Sequence, residues 1–312
     1  MRKYLLLVAA LFALGCQSNN QPGTSASKPG SPNESQSSSP TGDQLSTTLK
    51  TIIDRAGGNS AVTVIHVETG RSASVNGSAQ LPLYSVFKLP LAVAVLKDVE
   101  EKRLQIDQQV HVTPSDIVPG TPSNTAMWRQ PVDRTVAQLI DVSIALSDNT
   151  STDKLLQLAD GPEAVTRRLR EMGFNEIQIQ TTLRDFAATF QNHNTGSSND
   201  LAKLLVRLQK GELLQLAHQE PLIGHMRAAE TGMRRIRGKL PAGTVVGDKT
   251  GSGELNKTTG TPNATNDVGL ITLPDGTHVA IAVLLSGSKL YDVEQEKVIA
   301  DVTRAAFDAF AK

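Results

Sequence analysis

The chain has 312 residues, and its 31 Lys+Arg balance 31 Asp+Glu, so it carries no formal net charge; a general nucleic-acid binder, which needs a basic face, is excluded. Hydrophobic residues make up 39% and charged residues 20%, an ordinary globular balance over a length that buries a full core. The single cysteine, Cys16, rules out a disulfide scaffold and a cysteine-built zinc site, and aromatics at 4% argue against stacking platforms for single-stranded nucleic acid.

At the N-terminus, Arg2 and Lys3 precede an apolar run from Leu5 to Leu14. At about ten residues the run is half the length a bilayer-spanning helix needs, which reads as an export signal rather than a membrane span. It ends in Ala13-Leu14-Gly15-Cys16, which resembles the lipobox of bacterial lipoproteins, although that family favours Leu where Ala13 stands. The resemblance implies that Cys16 carries lipid and that the protein is exported and anchored to a bacterial membrane, facing the periplasm or the cell exterior. Gln17 in place of an aspartate after the cysteine favours the outer membrane of a diderm cell. Residues 17–43 are rich in Ser, Asn, Gln, Gly and Pro and cannot bury enough surface to offset their ordering entropy, so they are expected to form a disordered tether. The division is therefore signal 1–16, tether 17–43 and one folded domain over 44–312.

Within the domain, Leu45 to Arg55 reads as a helix closed by Gly57-Gly58, Ala61 to Glu68 as a strand, and Ala73 to Asn76 as its partner across Thr69-Gly70. A mostly apolar helix follows from Ser85 to Lys102, then helical patterns at Val136 to Leu146, Ser151 to Leu158, Pro162 to Met172 and Asn199 to Leu208, with Ile177 to Thr195 irregular. Strands return at Thr244 to Gly247, Asp267 to Leu273 and Thr277 to Leu285, the last two joined by Pro274-Asp275-Gly276, and Val293 to Phe310 is a final amphipathic helix. Strands at both ends with helices between them predict an α+β fold, with an antiparallel sheet flanked by helices and an all-α lobe inserted.

Three short motifs carry chemistry. In Ser85-Val86-Phe87-Lys88 the lysine lies one turn from the serine on the same helix face. A serine hydroxyl needs a base to become a nucleophile, and a lysine kept neutral by burial and nearby cations supplies one. Alone, the pattern is common and fits an N-cap serine with a solvated lysine, but the apolar run Leu89 to Leu96 sets Lys88 against a buried helix. Ser147-Asp148-Asn149 offers a hydroxyl to relay a proton to a leaving nitrogen and an amide to hold a carbonyl; alone it reads as a helix cap. Lys249-Thr250-Gly251, continuing to Ser252-Gly253-Glu254, offers a cation, a hydroxyl for a carboxylate, and glycines that let a ligand approach a strand edge.

In this order and spacing, S-x-x-K, S-D-N and K-T-G form the signature of class A β-lactamases and penicillin-binding proteins. Thr231-Gly232-Met233-Arg234-Arg235-Ile236-Arg237, Leu240-Pro241-Ala242-Gly243 and Val246 to Gly251 also resemble the class A stretch leading into its K-T-G strand. The domain is identified as a member of that serine hydrolase superfamily over essentially all of residues 44–312, which implies a five-stranded sheet. It also implies a β-lactam or D-Ala-D-Ala peptide as substrate, with no cofactor and no metal, in a monomer. By resemblance, Ser85 is acylated, Lys88 accepts its proton, Ser147 passes a proton to the departing amine, and Lys249 tunes that step. Asn149 positions Lys88 and the substrate amide; the Ser85 and Ser252 N–H groups form the oxyanion hole. Thr250, Ser252 and Arg235 hold the substrate carboxylate, Arg237 pairs with Asp248 in preference to Asp148, and Arg234 stays solvated.

One departure matters. Class A enzymes carry a loop glutamate that activates the deacylating water, with an asparagine downstream; here the loop reads Thr181 to Thr195 and its only carboxylate is Asp185, out of the usual register. Asn192 or Asn194 matches the asparagine, and counting back four positions gives Ala188 or Phe190, neither of them a base. A positioned general base contributes roughly two to four orders of magnitude, so a long-lived acyl-enzyme is expected unless Asp185 or a rearranged loop replaces the glutamate. The readings are thus a β-lactam hydrolase, a D,D-carboxypeptidase trapped by β-lactams, and a non-catalytic cell-wall peptide binder; an intact nucleophile set argues against the last. Trp128 is expected either at the pocket rim or as a packed loop anchor, and His193 as a surface loop residue. The histidines hold no metal-binding spacing.

Overall fold

A computed structural model describes residues 42–118, 126–191 and 193–311. The proposed lipidation site Cys16, the signal, nearly all of the tether and Asn192 lie outside the described residues.

The central sheet is antiparallel with strand order β2-β1-β9-β8-β7, where β1 is Asn59–His66, β2 Ser72–Val75, β7 Val246–Ser252, β8 Ala264–Thr272 and β9 His278–Ser286. Two-residue periodicity sorts its side chains onto two cores. Val279, Ile281, Val283 and Leu285 of β9 join Leu49, Ile53, Val298, Val302 and Phe307 from the first and last helices, α1 (Gly42–Ile53) and α9 (Asp292–Phe310). Ala280, Ala282 and Leu284 face the larger core with the helical lobe.

That lobe is built on α2 (Lys88–Glu100), which is buried continuously from Lys88 to Leu96. Around it lie α3 (Val136–Ala145), α4 (Asn149–Leu158), α5 (Gly161–Glu171), α6 (Leu183–Thr189), α7 (Ser198–Gln209) and α8 (Leu216–Arg227). Local sequence sets several of their starts. Thr135 and Gln138 form a reciprocal capping box on α3, and the Asp148 carboxylate accepts from the Ser151 N–H at 2.6 Å at the head of α4. Two further strand pairs, β3 (Leu81–Pro82) with β6 (Thr195–Gly196) and β4 (Gln109–Val112) with β5 (Val132–Thr135), tie the lobe's loops together.

The α+β expectation and the five-stranded antiparallel sheet hold. Four local readings change. Ser85 sits in a 3₁₀ turn, Tyr84–Phe87, that leads into α2 rather than in the helix itself. The strand expected to stop at Gly247 runs to Ser252, because its ladder with β8 continues through Lys249↔Val268 to Ser252↔Thr265. The segment expected to be irregular contains α6, and α8 was not anticipated.

Candidate active site

The site lies where β7, the edge strand of the sheet, meets the turn that carries Ser85. Gly251 makes this approach possible: a Cβ there would stand 2.4 Å from the Leu83 carbonyl oxygen and 3.1 Å from the Val86 nitrogen. Two non-glycine residues of this region hold left-handed backbones, Tyr84 at φ +48° and Ser147 at φ +57°. Such conformations cost of order 1–3 kcal/mol each and persist only where surrounding packing over-determines them.

Lys88 is fully buried. Its Nζ donates to the Ser147 carbonyl at 2.5 Å and Asn149 Oδ1 at 2.8 Å, with Ser147 Oγ at 3.3 Å. Burial, then the Lys249 charge, lowers its pKa well below the ordinary lysine value against the pull of Asp148 and Asp153. In its neutral form the amine has two N–H bonds, enough for the two short contacts, and one lone pair able to accept a proton. Lys249, also fully buried, donates to Ser147 Oγ at 3.0 Å and to the Thr250 carbonyl at 3.1 Å. Its pKa falls to about 8, mainly by burial, with Asp248 and Asp267 opposing and Arg235 assisting. The Ser147 hydroxyl therefore bridges two buried amines, an arrangement suited to moving a proton.

Arg235 is locked beside the end of β7. It donates to Ser252 Oγ at 2.7 Å and to the carbonyls of Gly251 and Asn266 at 3.2 and 2.9 Å, and its Nε faces Glu296. Thr250 and Thr231 share a hydroxyl hydrogen bond of 2.7 Å. Arg237 pairs with Asp248 at 2.6 Å, as expected, while exposed Arg234 meets Glu296. Trp128 is a packed anchor rather than a rim: it is fully buried and its Nε1 donates to Asp148 at 3.2 Å.

Two cavities meet at Ser85. A polar one of about 260 Å³ is lined by Ser85, Ser147, Asn149, Thr231, Thr250, Arg235 and Ser252. An apolar one of about 300 Å³ includes Tyr84, Leu183, Phe186, Phe190 and His193. Ser85, Asn149 and Ser252 line both. A substrate acylating Ser85 can thus place an anionic group beside Arg235 and Thr250 and an apolar substituent among the rings.

A sequence model of the beta-lactamase enzyme family matches residues 44–310. The chain belongs to that family. This β-lactamase is 33% identical to the extended-spectrum β-lactamase PER-1 of Pseudomonas aeruginosa over 75% of this chain and 76% of that protein. It is 29% identical to VEB-1 of the same organism, over 86% of this chain and 91% of that one. Among solved structures, a β-lactamase of Chitinophaga pinensis superposes with a TM-score of 0.81 at 32% identity, covering 85% of this chain and 98% of that one. TLA-1 superposes at 0.82 and 30% identity, covering 88% and 100%. The chain is a serine hydrolase of the class A type that acts on the β-lactam amide bond.

The sequence-predicted residues Ser85, Lys88, Ser147, Asn149, Lys249, Thr250, Ser252 and Arg235 come together around these two cavities. Asp185 does not: it is exposed, lies outside both linings, and accepts from the hydroxyl of Thr182, the residue that caps α6. Asn194 is buried and shapes the loop, its Oδ1 accepting from the N–H groups of Gln180 and Thr181 at 2.8 and 3.0 Å. Asp153, not singled out from the sequence, holds the head of α6 by accepting from the Leu183 and Arg184 N–H groups at 2.8 and 2.9 Å. Its spacing in Ser147-Asp148-Asn149-Thr150-Ser151-Thr152-Asp153, one helical turn beyond Asn149, is the signal that was available. His193 differs from expectation: it is half-buried and lines the apolar cavity, where its ring packs near those of Tyr84 and Phe186.

Proposed function

We propose that hydrolysis runs through an acyl-enzyme on Ser85. The Lys88 amine takes the hydroxyl proton as Ser85 Oγ attacks the lactam carbonyl, with the Ser85 and Ser252 N–H groups receiving the oxyanion. The ring nitrogen departs with a proton delivered through Ser147, whose hydroxyl is poised by the two buried amines. Arg235, Thr250 and Ser252 hold the substrate carboxylate under the field of Lys249, and the Asn149 amide holds the acyl side-chain carbonyl. The observation that carries this reading is the Lys88–Ser147–Lys249 chain of 3.3 and 3.0 Å contacts. Intact mass spectrometry of the protein mixed with a penicillin tests it: a Ser85 adduct forms in the native protein and is absent from Ser85→Ala. An adduct of unchanged yield in that variant sinks the assignment.

A slower-deacylating relative of this activity, a D,D-carboxypeptidase trapped by β-lactams, is favoured by one observation: the loop contributes no carboxylate to the apolar cavity among the described residues. Release of D-alanine from an acyl-D-Ala-D-Ala peptide at a rate exceeding penicillin turnover supports that reading, and no release removes it. The lipobox-like Ala13-Leu14-Gly15-Cys16 supports lipid anchoring at a membrane facing the periplasm or exterior. Labelled palmitate incorporated into the native chain and lost in Cys16→Ala is the expected result; equal labelling in both refutes it.

A further inference from the structure

Turnover needs a base for the water that frees Ser85, and the side chains around the two cavities offer few. Lys88 sits beneath the nucleophile with its N–H groups directed at Ser147 and Asn149. Asp185 is outside the cavities. Glu254 lines the apolar cavity but accepts the Tyr84 hydroxyl at 3.3 Å, and together with burial it pushes that phenol well above its usual range. His193 is different. Its ring lies 5.4 Å from the Tyr84 ring and 5.0 Å from the Phe186 ring, centroid to centroid. Its backbone carbonyl accepts from Gln180, while its imidazole nitrogens take no hydrogen-bond partner among the described residues.

The position of this ring is built in from both sides. Asn194, the next residue, is buried and clamps Gln180 and Thr181. The Asn194 carbonyl also accepts from the Leu83 N–H at 2.8 Å, two residues before the nucleophile. The backbone that presents His193 is thus hydrogen-bonded to the backbone that presents Ser85, and both side chains line one cavity.

We propose that His193 is the general base of deacylation. Its neutral imidazole accepts a proton from a water in the apolar cavity as the water oxygen bonds to the acyl carbonyl carbon. The tetrahedral intermediate then collapses, the carbon–Oγ bond of Ser85 breaks, and the proton returns to Oγ, regenerating serine and releasing the acid. Histidine is the side chain most often used as a general base. The inference rests on acylation at Ser85, and its test separates the two.

The native protein, His193→Phe and His193→Ala are mixed with excess penicillin, and the Ser85 adduct is followed by intact mass after unreacted drug is removed. If no adduct or turnover appears in the native protein, the acyl-enzyme reading fails regardless of His193. If adducts form in all three, folding and acylation are intact, and the rate of adduct loss reads the base. His193→Phe keeps an aromatic ring against Tyr84 and Phe186 but has no base; it is expected to deacylate about a hundredfold or more slowly, in line with the usual worth of a general base. His193→Ala is expected to be as slow and to recover in proportion to added imidazole. Deacylation of His193→Phe at the native rate overturns the proposal. So does slow His193→Ala that imidazole does not accelerate, since that pattern belongs to a residue that only shapes the cavity.

Discussion

Asp153→Ala tests whether the loop that shapes the apolar cavity is held from outside itself. The carboxylate is 6% exposed and accepts two backbone N–H groups at the head of α6, Leu183 at 2.8 Å and Arg184 at 2.9 Å. The remaining donor of that turn, the Asp185 N–H, is already covered by Thr182 Oγ1 at 3.0 Å. Removing Asp153 strands two donors. A buried donor without a partner costs about 1–3 kcal/mol, but Leu183 is only half-buried and Arg184 exposed, so water recovers part of this and the loss works out to about 2–3 kcal/mol. The carboxyl's own desolvation, which raises its pKa, offsets some of the loss, so the low end is expected. If the loop unfolds with the domain, the melting temperature falls by about 4–8 °C, at about 2–4 °C per kcal/mol for a domain of this size. If the loop opens by itself, the fall is smaller and protease cleavage between Leu183 and Gln191 rises instead. Calorimetry and limited proteolysis read the two outcomes. A variant within about 1 °C of the native protein and equally resistant to cleavage would show that α6 does not depend on Asp153.

Three other outcomes are expected. Lys249 loses its charge as pH rises through about 8, so kcat/KM for an anionic β-lactam should fall above that pH, while the need for neutral Lys88 shapes the acid limb; a profile flat to pH 9.5 refutes a charged Lys249 in substrate binding. Arg237→Ala leaves Asp248, which is fully buried with Oδ2 unpartnered, without its 2.6 Å ion pair, and should destabilise the domain by about 3–5 kcal/mol in urea unfolding; a change below about 1 kcal/mol contradicts that. Asp185→Asn should deacylate at the native rate, because the side chain is exposed and only accepts from the Thr182 hydroxyl, as an amide oxygen also can. A tenfold slower rate would return Asp185 to the mechanism.

The parts of the site legible in the sequence were those whose chemistry is carried by residue type at fixed spacing. Ser85, Lys88, Ser147, Asn149 and Lys249 belong to short motifs. The β8–β9 hairpin followed from apolar runs such as Val279 to Val283 together with a Pro-Asp-Gly turn. What stayed hidden was structure fixed by distant partners. The α8 sequence contains Pro221 and His225 with little amphipathic pattern, and its start is held by Glu100 accepting from the Gln215 N–H at 2.6 Å. The polar end of β7 does not read as a strand, since Lys249, Thr250 and Ser252 gain that conformation only by pairing with β8. His193 resembled a surface residue because what holds it at the cavity is distant in sequence: the Tyr84 ring and the Leu83 N–H that donates to the neighbouring Asn194 carbonyl.

These hidden dependencies share a physical origin. Reactive groups need unfavourable settings: Lys88 and Lys249 buried as amines, Ser147 and Tyr84 in left-handed backbone, Asp248 and Asp267 buried within the same strand pair. Burial raises the pKa of both carboxyls, Asp248 to about 6, and places each close to the charges of Lys249 and Arg235. None of these settings is stable in isolation, so each must be enforced by elements far apart in sequence. Trp128 holds Asp148, Asp153 holds the head of α6, and Asn266 donates to the carbonyls of Pro82 and Leu83 beside the nucleophile turn. Substitutions at such supports should therefore change turnover without touching a reacting atom, and their effects should exceed those of surface changes nearer in sequence to Ser85.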